Sequence, residues 1–224
     1  MTYYKNYFFH FFYYCIIVKQ LIKTEDFVIY DEILDEKNYN NIWLHFQNEK
    51  YAYVHSNGWM RVWRSTDGSP MKGPSYELKD YPHTTYMDNV FNIFLEVAKH
   101  NDDILGAWNN LSISPYLYPR DTKLNWHDDG KYLGAIIYYV HPYWASTWGG
   151  ELMLAKTPKV ESIPNPCLDH SFEDKFLETY GFGQYITCKP NRIVLTKKGV
   201  WHSINRVDKD AGDHCRASYV GFFS

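Results

Sequence analysis

From Leu111 to the C-terminus the chain runs through short β-type segments with no helical pattern between most of them, and this narrows the possible folds more than anything else in it. Runs rich in branched and aromatic residues cover Leu111 to Tyr118, Leu133 to Val140, Gly150 to Leu154, Arg192 to Thr196, Val200 to Val207 and Cys215 to Phe223. Clusters of Gly, Pro, Asp and Asn separate them, as tight turns require. A parallel sheet needs a long crossover between successive strands, so this density selects an antiparallel sandwich or barrel. The fold class is mainly β with flanking helices (α+β).

Upstream the pattern changes. Val90, Phe91, Ile93, Phe94, Val97 and Ala98 recur at helical spacing between Asp88 and His100. Asp26 to Gln47 reads as a strand, Phe27 to Tyr30, followed by an acidic-capped helix carrying Ile33, Leu34, Ile42, Trp43 and Phe46. Turn signals at Asn57-Gly58 and Asp67 to Pro70 mark a loop-rich stretch between them, with Trp59, Trp63 and Tyr76 as its packing residues. Residues 26–110 therefore read as helical and loop support, and 111–224 as the core of a single domain.

At 224 residues and 45% hydrophobic, the chain can bury one substantial core, so two domains are not expected. The formal charge of −3 arises from 23 basic and 26 acidic residues without long blocks, which argues against nucleic acid or an anionic membrane as partner. Cys15, Cys167, Cys188 and Cys215 form no regular framework, and reduced thiols in a cytoplasm are expected. The apolar run from Tyr7 to Val18 is too short to span a membrane as a helix and has no small-residue cleavage pattern. Residues 1–18 thus read as an edge element, a hydrophobic anchor, or sequence upstream of the fold. Oligomeric state is not legible.

Residues 156–189 interrupt two core strands with Pro158, Pro164 and Pro166, a helix-like piece from Glu173 to Tyr180, and Gly181-Phe182-Gly183. An insert of that length in a compact domain is usually functional, and a lid over a compact ligand is the expectation.

The chemistry concentrates in four residues. In an extended segment His127 and Asp129 point the same way while Asp128 faces out, unless a kink exchanges the two carboxylates. His202 supplies a second imidazole from a later strand, and an antiparallel sandwich can bring those strand ends together. Two imidazoles and one carboxylate on one face of a metal suit Fe(II), leaving positions open for a chelating co-substrate and O2. Arg216, on one strand face with Ser218, adds a fixed two-pronged cation suited to a dicarboxylate. Trp126 and Trp201 adjoin the histidines and, with Trp144 and Trp148, are candidate pocket walls for substrate; core packing explains residues of this size equally well.

Taken in order, Tyr118, His127-x-Asp129, Gly149 to Leu152, Pro190 to Leu195, His202-Ser203 and Arg216-x-Ser218 resemble the 2-oxoglutarate/Fe(II)-dependent dioxygenases, within them the prolyl 4-hydroxylase-like group. The resemblance covers roughly residues 111–223. It departs where a glycine usual after the tyrosine is replaced around Asp121, and where the segment between Leu154 and Pro190 is longer than typical. It implies a double-stranded β-helix (jelly roll, cupin-like) with an N-terminal helical buttress, Fe(II) on His127, Asp129 and His202, and 2-oxoglutarate reaching Arg216 with help from Ser218 and Tyr118. The implied reaction is C–H hydroxylation with release of succinate and CO2, and the carboxylate ligand argues against halogenation. A free amino acid or small amino-acid-derived metabolite is the leading substrate class, with a peptidyl proline second. Two other classes stay open: a non-catalytic metal-bearing jelly-roll binding protein, for which Arg216 would have no purpose, and a zinc hydrolase with Glu151 as base.

Overall fold

The computed structural model describes residues 19–57, 63–64, 66–156 and 181–224. In chain order the strands are β1 (Lys19–Lys23), β2 (Phe27–Asp31), β3 (Ala52–Tyr53), β4 (Met71–Lys72), β5 (Tyr76–Glu77), β6 (Leu111–Tyr118) and β7 (Leu124–His127). They continue with β8 (Gly134–Tyr139), β9 (Leu152–Ala155), β10 (Gly183–Ile186), β11 (Arg192–Lys197), β12 (His202–Ile204) and β13 (Arg216–Phe223). Among the described residues three α-helices, α1 (Glu36–Gln47), α2 (Met87–Lys99) and the short α3 (Asp102–Leu105), lie between β2 and β6.

The strands form two antiparallel sheets. The larger runs β1-β2-β11-β8-β13-β6-β4-β3 with β5 also on β6, and the smaller runs β10-β9-β12-β7. The two-residue period of a strand sends alternate side chains to opposite faces. In the large sheet this separates Val28, Tyr30, Ile113, Ile136, Tyr138, Ile193, Leu195, Ala217 and Tyr219 from Phe27, Ile29, Tyr116, Tyr118, Ile137, Tyr139 and Val194. The first set packs with the apolar faces of α1 and α2, among them Ile42, Phe46, Phe91 and Phe94. The second packs with Leu124, Leu152, Leu154, Ile186 and Ile204 of the small sheet, so the two sheets stack face to face.

Helix α1 starts where its cap dictates. Asp35 accepts a hydrogen bond from the backbone N–H of Asn38 at 2.9 Å, satisfying one of the donors that the first helical turn leaves free. Ile33 and Leu34 are buried in the same core but precede the helix, because the cap sets its first turn after them.

Several boundaries differ from the sequence reading. The segment beginning at Gly150 becomes a strand only at Leu152, because Gly149 and Gly150 both hold positive φ, 69° and 75°, outside the β region. Val200 to Val207 shortens to His202–Ile204. The support region 26–110 is not purely helices and loops, since β2 sits inside the large sheet beside β11, and β4 and β5 both pair with β6. The end of the 156–189 insert is a strand, β10, paired with β9, so that part belongs to the small sheet. The helix-like piece at Glu173 to Tyr180 and residues 1–18 lie outside the described residues. Among the described residues no helix is long and apolar enough to cross a membrane.

Candidate metal centre and anion pocket

The small sheet places the two histidines side by side. His202 of β12 pairs directly with His127 at the end of β7, and their rings lie 4.3 Å apart between centroids. Each ring is fixed by its own backbone. His127 Nδ1 donates to the Asn125 carbonyl at 2.7 Å, and His202 Nδ1 donates to the Val200 carbonyl at 2.8 Å. A carbonyl only accepts, so Nδ1 carries the proton in both rings and Nε2 keeps its lone pair.

Those two Nε2 atoms converge on one carboxylate. His127 Nε2 lies 3.8 Å from Asp129 Oδ1, and His202 Nε2 lies 3.7 Å from Asp129 Oδ2. One ligand atom from each residue falls within 4.8 Å of the others, a spacing that a single ion can bridge. Burial, reinforced by the neighbouring His202, pulls His127 down to about 4, which keeps its imidazole neutral at physiological pH as a metal ligand must be. Two buried imidazole nitrogens and a part-exposed carboxylate are a donor set that fits Fe(II).

The same residues open onto a cavity of about 410 Å³ between the sheets. Its wall includes Trp63, Tyr116, Tyr118, Leu124, Ile137, Leu152, Thr196, Ile204, Val220 and Phe222, together with the three ligands and Arg216. Arg216 is buried, with its Nε donating to the Gly150 carbonyl at 2.8 Å and Nη2 to Tyr139 Oη at 3.2 Å. Its guanidinium lies 5.2 Å from the Tyr118 ring centroid and 4.9 Å from that of Tyr139. Gly150 makes this possible, since a Cβ there would stand 3.0 Å from Arg216 Cδ and 3.3 Å from the Trp144 ring. Ser218, two residues along the same face of β13, buries an Oγ with no hydrogen-bond partner among the described residues. A buried cation with no carboxylate paired to it among the described residues, beside an unsatisfied hydroxyl, is a built anion site. Burial pushes the Tyr118 and Tyr139 phenols well up, so both remain protonated donors.

Comparison by sequence finds no matching family model and no matching curated protein. Comparison by structure does. A Pseudomonas putida prolyl-4-hydroxylase superposes with a TM-score of 0.57 at 12% identity, over 88% of this chain and 91% of that one. A Trichoplax adhaerens prolyl hydroxylase, solved in complex with a hypoxia inducible factor oxygen degradation domain peptide fragment, gives 0.58 at 12% identity over 89% and 84%. The non-heme alpha ketoglutarate dependent epimerase SnoN from nogalamycin biosynthesis gives 0.55 at 11% identity over 88% and 77%. The fold is that of the 2-oxoglutarate/Fe(II) oxygenases. The resemblance read from the motifs therefore holds at the level of architecture.

Within this oxygenase fold, the structure brings His127, Asp129, His202, Arg216 and Tyr118 to one cavity and sets Ser218 beside Arg216 on β13. It does not bring the four tryptophans there. Trp126, Trp144, Trp148 and Trp201 are absent from the cavity wall, and the indole in it is Trp63. Trp144 and Trp148 instead pack on each other, ring centroids 5.4 Å apart, with Trp144 Nε1 donating to the Gly149 carbonyl. Glu151 also lies outside the wall, accepting from Asn205 Nδ2 at 2.9 Å, which removes the base a hydrolase would need. Asp121 replaces the usual glycine but holds φ at +66°, so the backbone keeps the left-handed conformation a glycine would adopt.

Tyr139 was missed by sequence reasoning, though its alternation with Ala135 and Ile137 along β8 could have found it. Asp67 was missed for want of any local signal. Its buried carboxylate accepts from Asn125 Nδ2 at 2.8 Å and from the Arg64 backbone N–H at 2.6 Å, so it braces the strand that carries His127.

Proposed function

We propose that this protein is a non-haem Fe(II)- and 2-oxoglutarate-dependent oxygenase that hydroxylates a C–H bond of a free amino acid or small amino-acid-derived metabolite, releasing succinate and CO2. The scaffold is read as a double-stranded β-helix with an N-terminal helical buttress. The carrying observation is that the buried Arg216 guanidinium opens into the same cavity as the His127, Asp129 and His202 ligand atoms. A cavity with only a metal to hold would not bury an arginine without a carboxylate, since desolvating that charge is costly.

His127, Asp129 and His202 would hold the iron, and Fe(II) with 2-oxoglutarate and O2 supplies the oxidising chemistry when bound. Arg216, oriented by the Gly150 carbonyl and Tyr139 Oη, takes the far carboxylate of 2-oxoglutarate. Ser218 Oγ and the Tyr118 phenol are its further donors. Trp63, Leu124, Ile137, Leu152 and Ile204 keep water from the reacting face.

A second reading, hydroxylation of a prolyl residue in a peptide, is supported by the fold similarity to prolyl hydroxylases, one of them solved with a peptide. The test of the shared chemistry is succinate formation from 2-oxoglutarate by the Fe(II)-loaded protein, with free amino acids and proline-containing peptides as co-reactants. Coupled succinate release is expected from the wild type and none from Asp129→Ala, since two imidazoles alone hold Fe(II) poorly. Undiminished turnover by Asp129→Ala would overturn the assignment.

A further inference from the structure

The three ligand residues are not held with equal firmness. Each histidine ring is locked by a hydrogen bond from Nδ1 to a carbonyl two residues back in the chain, Asn125 for His127 and Val200 for His202. Asp129 has no such lock. Among the described residues its carboxylate accepts no hydrogen bond, and the two Nε2 atoms it meets at 3.8 and 3.7 Å present lone pairs, which do not attract it. It also lies beyond the last residue of β7, so no ladder partner fixes it. Its aim depends on the loop that joins β7 to β8.

That loop is tied down next to the ligand. The Tyr132 N–H donates to the Asp129 carbonyl at 3.2 Å, closing a turn that Gly130 enters with φ at +50°. One residue on, the Leu133 N–H donates to the Phe223 carbonyl at 2.8 Å. The Tyr132 ring stacks on Phe222 of β13, with centroids 4.6 Å apart and planes 27° from parallel. Phe222 is in turn held by its ladder partner Ala135, near the start of β8. The stack therefore joins the turn that carries Asp129 to the strand that carries Arg216, and both rings line the cavity.

Resting on the metal-site reading above, we propose that Tyr132 and Phe222 are positioning residues for the metal, their stack holding the Asp129 carboxylate against the two imidazoles. The bond that closes the turn belongs to the ligand residue itself, so a shift of the Tyr132 ring is passed to Asp129. A carboxylate that reaches the imidazoles only part of the time lowers the apparent metal affinity by that fraction.

The experiment is calorimetric titration of the metal-free protein at low temperature with Mn(II) as the stand-in for Fe(II), with circular dichroism to establish that each variant is folded. Tyr132→Leu and Phe222→Leu keep apolar bulk but lose the stack, and each should bind Mn(II) about 3- to 10-fold more weakly than the wild type, the size of one aromatic pair. Tyr132→Phe keeps both rings and should bind as the wild type does. Because the two rings act as one contact, the double variant should lose no more than either single one. If Phe222→Leu does not fold, Tyr132→Leu, at a loop position, carries the test against Tyr132→Phe. A purely structural stack predicts a lower Tm with unchanged Mn(II) affinity. That result overturns the proposal, as do additive losses in the double variant or equal weakening by Tyr132→Phe and Tyr132→Leu. A wild type that does not bind Mn(II) at all overturns instead the metal-site reading, and this one with it.

Discussion

Asp67 is the residue whose loss should be felt furthest from where it sits. Its side chain is fully buried, accepts from Asn125 Nδ2 and the Arg64 N–H, and lies 3.7 Å from Lys123 Nζ. The Asn125 carbonyl in turn receives the Nδ1 proton of His127, so the carboxylate holds the strand that orients a metal ligand. Asp67→Ala deletes two charge-assisted hydrogen bonds and leaves a buried amide donor without a partner, a loss of about 3–5 kcal/mol. In a domain of this size that is a fall in Tm of roughly 6–20 °C. Because groups behind a metal ligand fix its aim, Mn(II) affinity should fall on the order of 10- to 100-fold. Thermal unfolding by circular dichroism and calorimetric Mn(II) titration at low temperature measure the two effects separately. A variant with wild-type Tm and wild-type Mn(II) affinity would refute the bracing argument.

Two further outcomes are expected. Arg216→Met should raise the KM for 2-oxoglutarate by about 10- to 100-fold, as loss of a charge-assisted partner implies, with Mn(II) affinity preserved; an unchanged KM would move the anchor elsewhere. Burial pushes the Asp31 carboxyl up, but hydrogen bonds and charge from Arg192 and Lys189 outweigh it and hold it below the ordinary value. The pair contributes stability fully present above the ordinary carboxylate value of 3.8 and lost as pH falls through the lowered folded value. Asp31→Asn should therefore lower stability at pH 7 and flatten the acid limb below about pH 4 in urea unfolding, and an identical acid limb would exclude the linkage.

The readable parts of the fold were those in which local pattern and tertiary role agree. β6 and β13 are long, strictly alternating and paired along their whole length, so their boundaries follow closely from the sequence. β10 failed to show because Gly183, Gln184 and Tyr185 are exposed and only its pairing to β9 makes it a strand. β4 and β5 are two residues each, shorter than any periodicity can register. Within the site, the ligand residues were legible because His-x-Asp and Arg-x-Ser carry their own spacing. Lys72, Asp67 and Trp63 come from the irregular stretch before β6, where nothing local distinguishes a cavity wall from a surface loop.

The two faces of the large sheet show why the cavity exists at all. Toward the helices, β6, β8, β11 and β13 present Ile113, Ile136, Tyr138, Ile193, Leu195, Ala217 and Tyr219, an apolar surface that closes tightly. Toward the small sheet, three of those strands, β6, β11 and β13, place Ser112, Ser114, Thr196, Arg216 and Ser218 among apolar neighbours. Substituting apolar residues of similar volume at those positions would fill a sandwich core and remove the desolvation cost of a buried guanidinium and an unsatisfied hydroxyl. The chain gives up that stability on one face only, and on those three strands the polar residues fall at the parity that points to the metal ligands. A register slip of one residue in β13 would turn Arg216 toward α1 and α2 and Ala217 into the cavity, so the apolar helix-facing row sets the register that aims the anion site. Stability on one side of the sheet is thus what holds the chemistry in place on the other.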